Sequence, residues 1–176
     1  MEVFGRKKRG PAGSVPADSA SEGGYLGLRK LALAAVDTGA VSATADHPRV
    51  GGVVVDIPSD DGVATLVAMG DDSTSLYTST GGGLIGMGGH APVAVATHRL
   101  LAAVDAQLTA FVAERNDHVP NKNYVRFHVL GTGGPAVADV SQDCFWGRAP
   151  HVLMPVIVAA HEVITAMRSI DQGATP

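Results

Sequence analysis

The chain has 176 residues, of which 45% are hydrophobic and 17% are charged, so its length allows one domain with a real core but not two. The formal net charge of −4 and the aromatic content of 5% exclude the basic stripe and the stacking platform of general nucleic-acid binders, so we expect no nucleic acid partner for the folded domain. The single cysteine, Cys144, excludes an intrachain disulfide and a multi-thiolate metal site.

Residues 1–24 combine a basic cluster at positions 6–9 with glycine, proline, serine and alanine. This composition buries too little apolar surface to offset its ordering entropy, which predicts a disordered tail over 1–24. The tail lacks the apolar core of a secretory signal, and no segment approaches the roughly 20 apolar residues of a membrane-spanning helix. We therefore expect a cytoplasmic protein without a transmembrane segment. We also expect a single α/β domain over residues 25–171 and a flexible C-terminus over residues 172–176.

The first ordered elements are a short helix and three strands. Crowded apolar residues from Tyr25 predict a helix that ends near Gly39. The β-branched run inside 50–57 suits a buried strand, and the Asp-Gly pair before residue 63 predicts a tight turn. Further strands over 63–69 and 74–79 complete an antiparallel meander.

The second half begins with a glycine-dense bend over 81–89. Apolar residues at three- and four-residue spacing then predict the longest helix, over 91–114. Alternating residues predict strands over 124–130 and 136–140, followed by a loop over 141–148. A last helix falls between 150 and 170, with Pro155 in its first turn, where a missing N–H costs no helical bond.

The predicted order is α-β-β-β-α-β-β-α. It indicates an α/β (α+β) domain with a five-stranded antiparallel sheet, on which the long and C-terminal helices pack. In topology this order resembles the profilin, longin and roadblock class of small scaffolds, and topology alone does not fix function.

Three passages carry a resemblance to a family: TSLYTSTGGGLIGMGGH at 74–90, VRFHVL at 125–130 and HEVIT at 161–165. Together they resemble an uncharacterised bacterial family that is common in actinobacteria, and the similarity spans most of the chain after the tail. The resemblance implies no known activity and supplies no catalytic residues.

The glycine bend has two interpretations. Backbone N–H groups ahead of a helix can hold an anion, with a basic side chain as partner. The candidate ligand contacts are then Thr80, Gly81, Gly82, Gly83, Gly86, Gly88, His90 and Arg126. The bend lacks the Gly-Lys-Ser/Thr ending of a P-loop and the parallel strand of a dinucleotide site, so we favour a structural role. That role predicts glycines with positive φ or with neighbours closer than a Cβ would allow.

Other chemistry is weakly indicated. His90 and His98 lack the i, i+4 spacing of a helical metal pair, and no nucleophile elbow surrounds the serines, so we predict no metal, no cofactor and no catalytic residues. The aromatic pair Phe145 and Trp146 is a loop anchor or, if exposed, an interaction site.

These observations favour a non-enzymatic protein that binds another protein or itself, through a sheet edge or the loop at Phe145 and Trp146. One alternative is a binder or enzyme for a small anionic ligand, such as a phosphate or nucleotide, at the bend from Gly81 to His90. Another is an immunity-type protein that neutralises a toxin encoded beside it.

Overall fold

A computed structural model describes residues 22–40 and 43–173 of the chain. These ranges contain one antiparallel sheet of six strands and four α-helices. The helices are α1 (Glu22–Leu33), α2 (Ala91–Ala106), α3 (Gln142–Phe145) and α4 (Met154–Gly173). The strands are β1 (Val50–Pro58), β2 (Val63–Met69), β3 (Thr74–Thr78), β4 (Gly83–Leu84), β5 (Tyr124–Gly131) and β6 (Gly134–Ser141), and they lie in the order β4-β3-β2-β1-β5-β6. The predicted α/β class with an antiparallel sheet is confirmed.

Strand β1 lies inside the sheet and is buried along its whole length. Successive side chains of a strand point to opposite faces, so the valines of β1 enter two separate clusters. Val53 and Val55 belong to the large core, whereas Val54 packs with Tyr25 of α1. The β-branched run seen in the sequence is thus the strand on which both sides of the protein are built.

Helices α2 and α4 supply the helical side of the large core. Val93, Leu100 and Val104 of α2 are fully buried and recur at helical spacing. Pro92 and Pro155 each fall in the first turn of their helix, as the sequence predicts for Pro155.

Helix α1 covers the opposite face of the sheet. Tyr25, Arg29 and Leu33 are buried, and their four-residue spacing places them on one side of the helix. The leucines on its remaining surface are exposed: Leu26, Leu28 and Leu31.

The prediction of five strands and three helices is wrong in number. The sixth strand, β4, forms inside the predicted bend and pairs with β3, with Gly83 opposite Tyr77. A Cβ on Gly83 would lie 2.5 Å from the carbonyl oxygen of Leu76, so this close pairing requires glycine. A two-residue strand leaves no periodicity in the sequence, which is why the pattern missed it.

The fourth helix, α3, lies in the segment predicted as a loop. Ser141 caps it by accepting a hydrogen bond from the backbone N–H of Cys144, at 3.3 Å. A single helical turn is too short to show an amphipathic repeat, so only the capping serine marks it in the sequence.

The long helix ends at Ala106 and not at Glu114. The backbone turns out of the helix at Gln107, and Val112 then forms a two-way backbone bridge with Val137 of β6, with both N–H to carbonyl distances at 2.9 Å. Phe111 is still buried in extended conformation, so it continued the apolar spacing of the sequence without being helical.

Helices α1 and α4 lie at the two ends of the described residues. Helix α1 begins at Glu22, within the last three residues of the predicted tail, and the rest of that tail, residues 1–21, lies outside the described residues. Helix α4 continues to Gly173, and residues 174–176 of the predicted C-terminus also lie outside the described residues. Within the described ranges, no helix combines the length and the apolar character that crossing a bilayer requires.

Candidate functional site

The glycine bend is a tight backbone structure. Gly81, Gly82 and Gly86 have positive φ angles of 99°, 84° and 71°. A Cβ on Gly88 would lie 1.6 Å from the carbonyl oxygen of Asp72, a distance that no side chain tolerates. The backbone prediction for this bend is confirmed: positive φ explains Gly81, Gly82 and Gly86, and a close contact with the β2–β3 turn explains Gly88.

The residues proposed to hold an anion at the bend do not all meet. Thr80 is exposed, and His90 precedes α2 without a side-chain bond to the helix end. Arg126 lies on β5, four strand spacings from β4, which is roughly 19 Å at the usual spacing. Its guanidinium contacts Asp139 at 2.6 and 2.7 Å and the carbonyl of His118 at 2.9 Å. Arg126 is therefore a partner of β6 and not of the bend.

Phe145 and Trp146 differ in their exposure to solvent. Phe145 is fully buried, and its ring packs against those of Phe127 and His161, with centroids 6.2 and 4.6 Å away. Trp146 is 51% exposed. Only Trp146 is therefore accessible to a ligand or partner.

Two histidines form a contact that the sequence spacing did not suggest. Nε2 of buried His47 lies 2.9 Å from Nδ1 of His98, whose Nε2 lies 3.0 Å from Asp72. Nδ1 of His47 contacts the carbonyl oxygen of Val50 at 2.7 Å. The groups at the two ends of this hydrogen-bonded series, the carbonyl oxygen of Val50 and the carboxylate of Asp72, are acceptors. This series of hydrogen bonds joins α2 to the start of β1 and to the β2–β3 turn, so the two histidines have a structural role.

A second polar cluster lies beneath α1. Asp56 of β1 accepts hydrogen bonds from Arg29, from Thr65 at 2.8 Å and from His128 at 2.8 Å. Burial alone raises the pKa of Asp56, but the bonds from His128 and Arg29 outweigh it and lower that pKa to about 2. Asp56, His128 and Thr65 are all buried, so this cluster has no opening for a ligand.

A cavity of about 640 Å³ lies at the end of β1. Its apolar wall contains Ile57, Leu76 and Ile164, from β1, β3 and α4. Its polar and aromatic lining includes Asp60, Lys122, Gln142, Trp146, His161 and Arg168. The cavity thus combines an apolar wall with a small number of polar groups, the usual make-up of a small-molecule site.

Two positively charged side chains and one negatively charged side chain line this cavity. Lys122 forms an ion pair with Asp60, with 3.1 Å between Nζ and Oδ1, and both side chains are exposed. Arg168 is exposed and has no ion-pair or hydrogen-bond partner among residues 22–40 and 43–173. The lining therefore presents one uncompensated positive charge.

Trp146 is held in place beside the cavity. Its indole N–H donates to Oε1 of Gln142, and the Gln142 amide N–H donates in turn to the carbonyl oxygen of Pro58, at 2.7 Å. The Trp146 ring is tilted against His161, with centroids 5.5 Å apart. These bonds fix the indole at the cavity wall while leaving half of it exposed.

The ring of His161 packs against those of both Phe145 and Trp146. Its Nε2 is buried and has no hydrogen-bond partner among the described residues. Burial lowers the pKa of His161, so the imidazole is neutral at neutral pH. It contributes a planar, uncharged surface to the cavity.

One signal for this site was present in the sequence. His161, Ile164, Thr165 and Arg168 follow the i, i+3, i+4, i+7 spacing of one helix face, and all four line the cavity. The prediction of a last helix between residues 150 and 170 did not single out this face. The contributions of Asp60, Lys122 and Trp146 come from other elements and have no local signal.

Comparison of the chain with protein-family models, with curated proteins and with solved structures finds no match. In the described ranges, no three histidine, cysteine or acidic side chains converge in a way that would hold a metal ion.

Proposed function

We propose that this protein binds a small organic anion that carries a planar ring, in the cavity beside Trp146. The observation that carries the proposal is that an exposed indole and an unpaired guanidinium, Arg168, line the same cavity. The volume of about 640 Å³ suits a ligand of nucleotide or cofactor-fragment size, since ligand pockets span about 300–1,000 Å³.

The charge balance supports an anionic ligand. Asp60 neutralises Lys122, which leaves Arg168 as the unbalanced charge. A guanidinium binds carboxylates and phosphates through paired N–H donors, so either group is a suitable partner. The shared chemistry is a planar ring that bears a carboxylate or a phosphate.

The aromatic surface supports the planar ring. Trp146 and the neutral ring of His161 stand side by side, and the Gln142 bond holds the indole in one orientation. A ring stacked on a fixed indole gains about 0.5–1.5 kcal/mol beyond the area that it buries. Because the indole is already oriented, little side-chain entropy is lost on binding.

This proposal keeps one sequence-based alternative, the small anionic ligand, and moves it from the glycine bend to the cavity. The proposal concerns binding and assigns no reaction to the cavity. The immunity-type role, the cytoplasmic location and the likeness to the bacterial family and to the profilin, longin and roadblock class stay predictions.

The experiment uses Trp146, the only tryptophan of the chain, as a fluorescent reporter inside the candidate site. The probes form two matched pairs: AMP with adenosine, and nicotinate with nicotinamide. Each pair shares a ring and differs in the anionic group. We expect AMP or nicotinate to change the Trp146 emission in a saturable way at concentrations where its uncharged partner does not, and the responding pair identifies phosphate or carboxylate.

Two variants test the role of the guanidinium. Arg168→Gln should weaken binding of the responding anion about tenfold or more, which corresponds to about 1.4 kcal/mol. Arg148→Gln is the matched control, because Arg148 is another exposed arginine that pairs with Asp143 and does not line the cavity. If neither anion gives a saturable response, or if the two variants bind equally well, the proposal is overturned.

A further inference from the structure

Helices α2 and α4 expose an apolar groove on the side away from the sheet. Val95 of α2 and Val158 of α4 are 51% and 50% exposed and line the same groove, together with Pro92 and Ala166. These two valines on adjacent helices give the groove an apolar centre, which a docked partner would remove from water.

Two unpaired charges of opposite sign flank this apolar surface. Arg99 lies on α2 and Glu162 lies on α4, and both side chains are exposed. Neither makes an ion pair or a side-chain hydrogen bond with any residue in the described part of the chain. The third titratable residue of the groove, His161, is neutral because burial lowers its pKa. The groove therefore presents one cation and one anion around an apolar centre.

We propose that a second copy of this chain docks on the groove, so that the protein is a twofold-symmetric dimer. A twofold axis that lies in the plane of the groove, midway between Arg99 and Glu162, places Arg99 of each protomer opposite Glu162 of the partner subunit. The same contact covers Val95 and Val158, which line the groove together with the two charged residues. In this dimer each Arg99 and each Glu162 has an oppositely charged partner across the interface, and the apolar centre of the groove is buried.

The charge balance of the groove favours a second copy of this chain over an unrelated protein as the partner. A groove of one sign would call for a partner of the opposite sign, whereas a groove with one charge of each sign, on different helices, is complementary to itself. His161 and Thr165 line both the groove and the cavity, so the dimer contact runs beside the candidate ligand site.

The experiment measures the mass of the full chain by sedimentation equilibrium over a concentration series. We expect the wild-type chain to dimerise. Glu162→Arg places like charges opposite each other at both ends of the contact and should raise the dimer dissociation constant about tenfold or more. The double variant Arg99→Glu with Glu162→Arg restores opposite charges and should restore the dimer.

Leu31→Glu is the control, because Leu31 is an exposed aliphatic residue on α1, away from the groove, and its replacement should leave the dimer unchanged. Circular dichroism of each variant verifies that the fold is intact. A wild-type chain that stays monomeric at about 100 μM overturns the proposal. A dimer that resists Glu162→Arg, or a double variant that remains dissociated, overturns it as well.

Discussion

Arg29 of α1 and Asp56 of β1 form an ion pair inside the protein, with 2.6 Å between Nη2 and Oδ2. Their side chains are 7% and 0% exposed. The second terminal nitrogen of Arg29 donates to the carbonyl of Asp117, at 2.7 Å. One arginine thus joins helix α1, the middle of the sheet and the segment before β5.

Arg29→Met tests this connection. The methionine keeps most of the aliphatic stem but leaves Asp56 buried without its guanidinium, so we expect a loss of about 3–5 kcal/mol in the free energy of unfolding, measured by urea denaturation. Arg148→Met removes the exposed Arg148–Asp143 pair and should change that free energy by less than about 1 kcal/mol. Equal losses of unfolding free energy for the two replacements would show that the buried ion pair stabilises the fold no more than the exposed one.

The depressed pKa of Asp56 predicts a dependence of stability on acid. In the folded state this pKa falls from 3.8 to about 2, so the unfolded chain binds the proton more readily. The stabilisation is complete above about pH 4 and is lost as the pH falls through about 2. The difference in unfolding free energy between wild type and Asp56→Asn should shrink by about 2 kcal/mol between about pH 5 and pH 2. A constant difference over that range would contradict the ionised state of Asp56.

Two neighbouring tyrosines provide a matched comparison of buried hydroxyls. Tyr25 and Tyr77 are both buried, with ring centroids 5.9 Å apart. The hydroxyl of Tyr25 lies 2.9 Å from Thr65 Oγ1, whereas that of Tyr77 has no partner in the described ranges. Because Thr65 donates to Asp56, the Tyr25 hydroxyl is the donor in its bond.

We therefore expect Tyr25→Phe to lower the free energy of unfolding by about 1 kcal/mol and Tyr77→Phe to leave it unchanged or raise it by about 1 kcal/mol. Burial raises the pKa of Tyr77, so the hydroxyl that Tyr77→Phe removes is protonated and uncharged in the wild type. Chemical denaturation of both variants is the measurement. A greater loss for Tyr77→Phe than for Tyr25→Phe would mean that the Tyr77 hydroxyl is satisfied.

Adjacent glycines of the bend test its structural role. A Cβ on Gly88 would meet the Asp72 carbonyl oxygen at 1.6 Å, whereas a Cβ on Gly89 would meet nothing within 4 Å. Gly88→Ala should lower the thermal midpoint by 10 °C or more, since about 1 kcal/mol corresponds to roughly 2–8 °C in domains of this size range and a backbone clash costs several kcal/mol. Gly89→Ala should change the midpoint by only about 1–3 °C. Similar midpoints for both variants would remove the close contact as the reason for Gly88.

Several features of the fold were determined by residues close together in the chain. The valine run of β1, the Asp61-Gly62 turn into β2 and the apolar spacing of α2 each predicted an element that the structure contains. The close contacts of Gly83 and Gly88 were likewise anticipated from their density in the bend. Strand alternation, helical spacing and turn chemistry act over a few residues, so a sequence displays them directly.

Tertiary structure alone decided which of these residues meet. β5 pairs with β1, which brings His128 to Asp56 across 72 residues of chain and moves Arg126 away from the glycine bend. The cavity gathers Asp60, Trp146 and Arg168 from three separate segments, and the burial of Phe145 leaves only its neighbour exposed. Sheet order and helix packing set these contacts through the whole core, and no local pattern records which distant side chain will supply the partner.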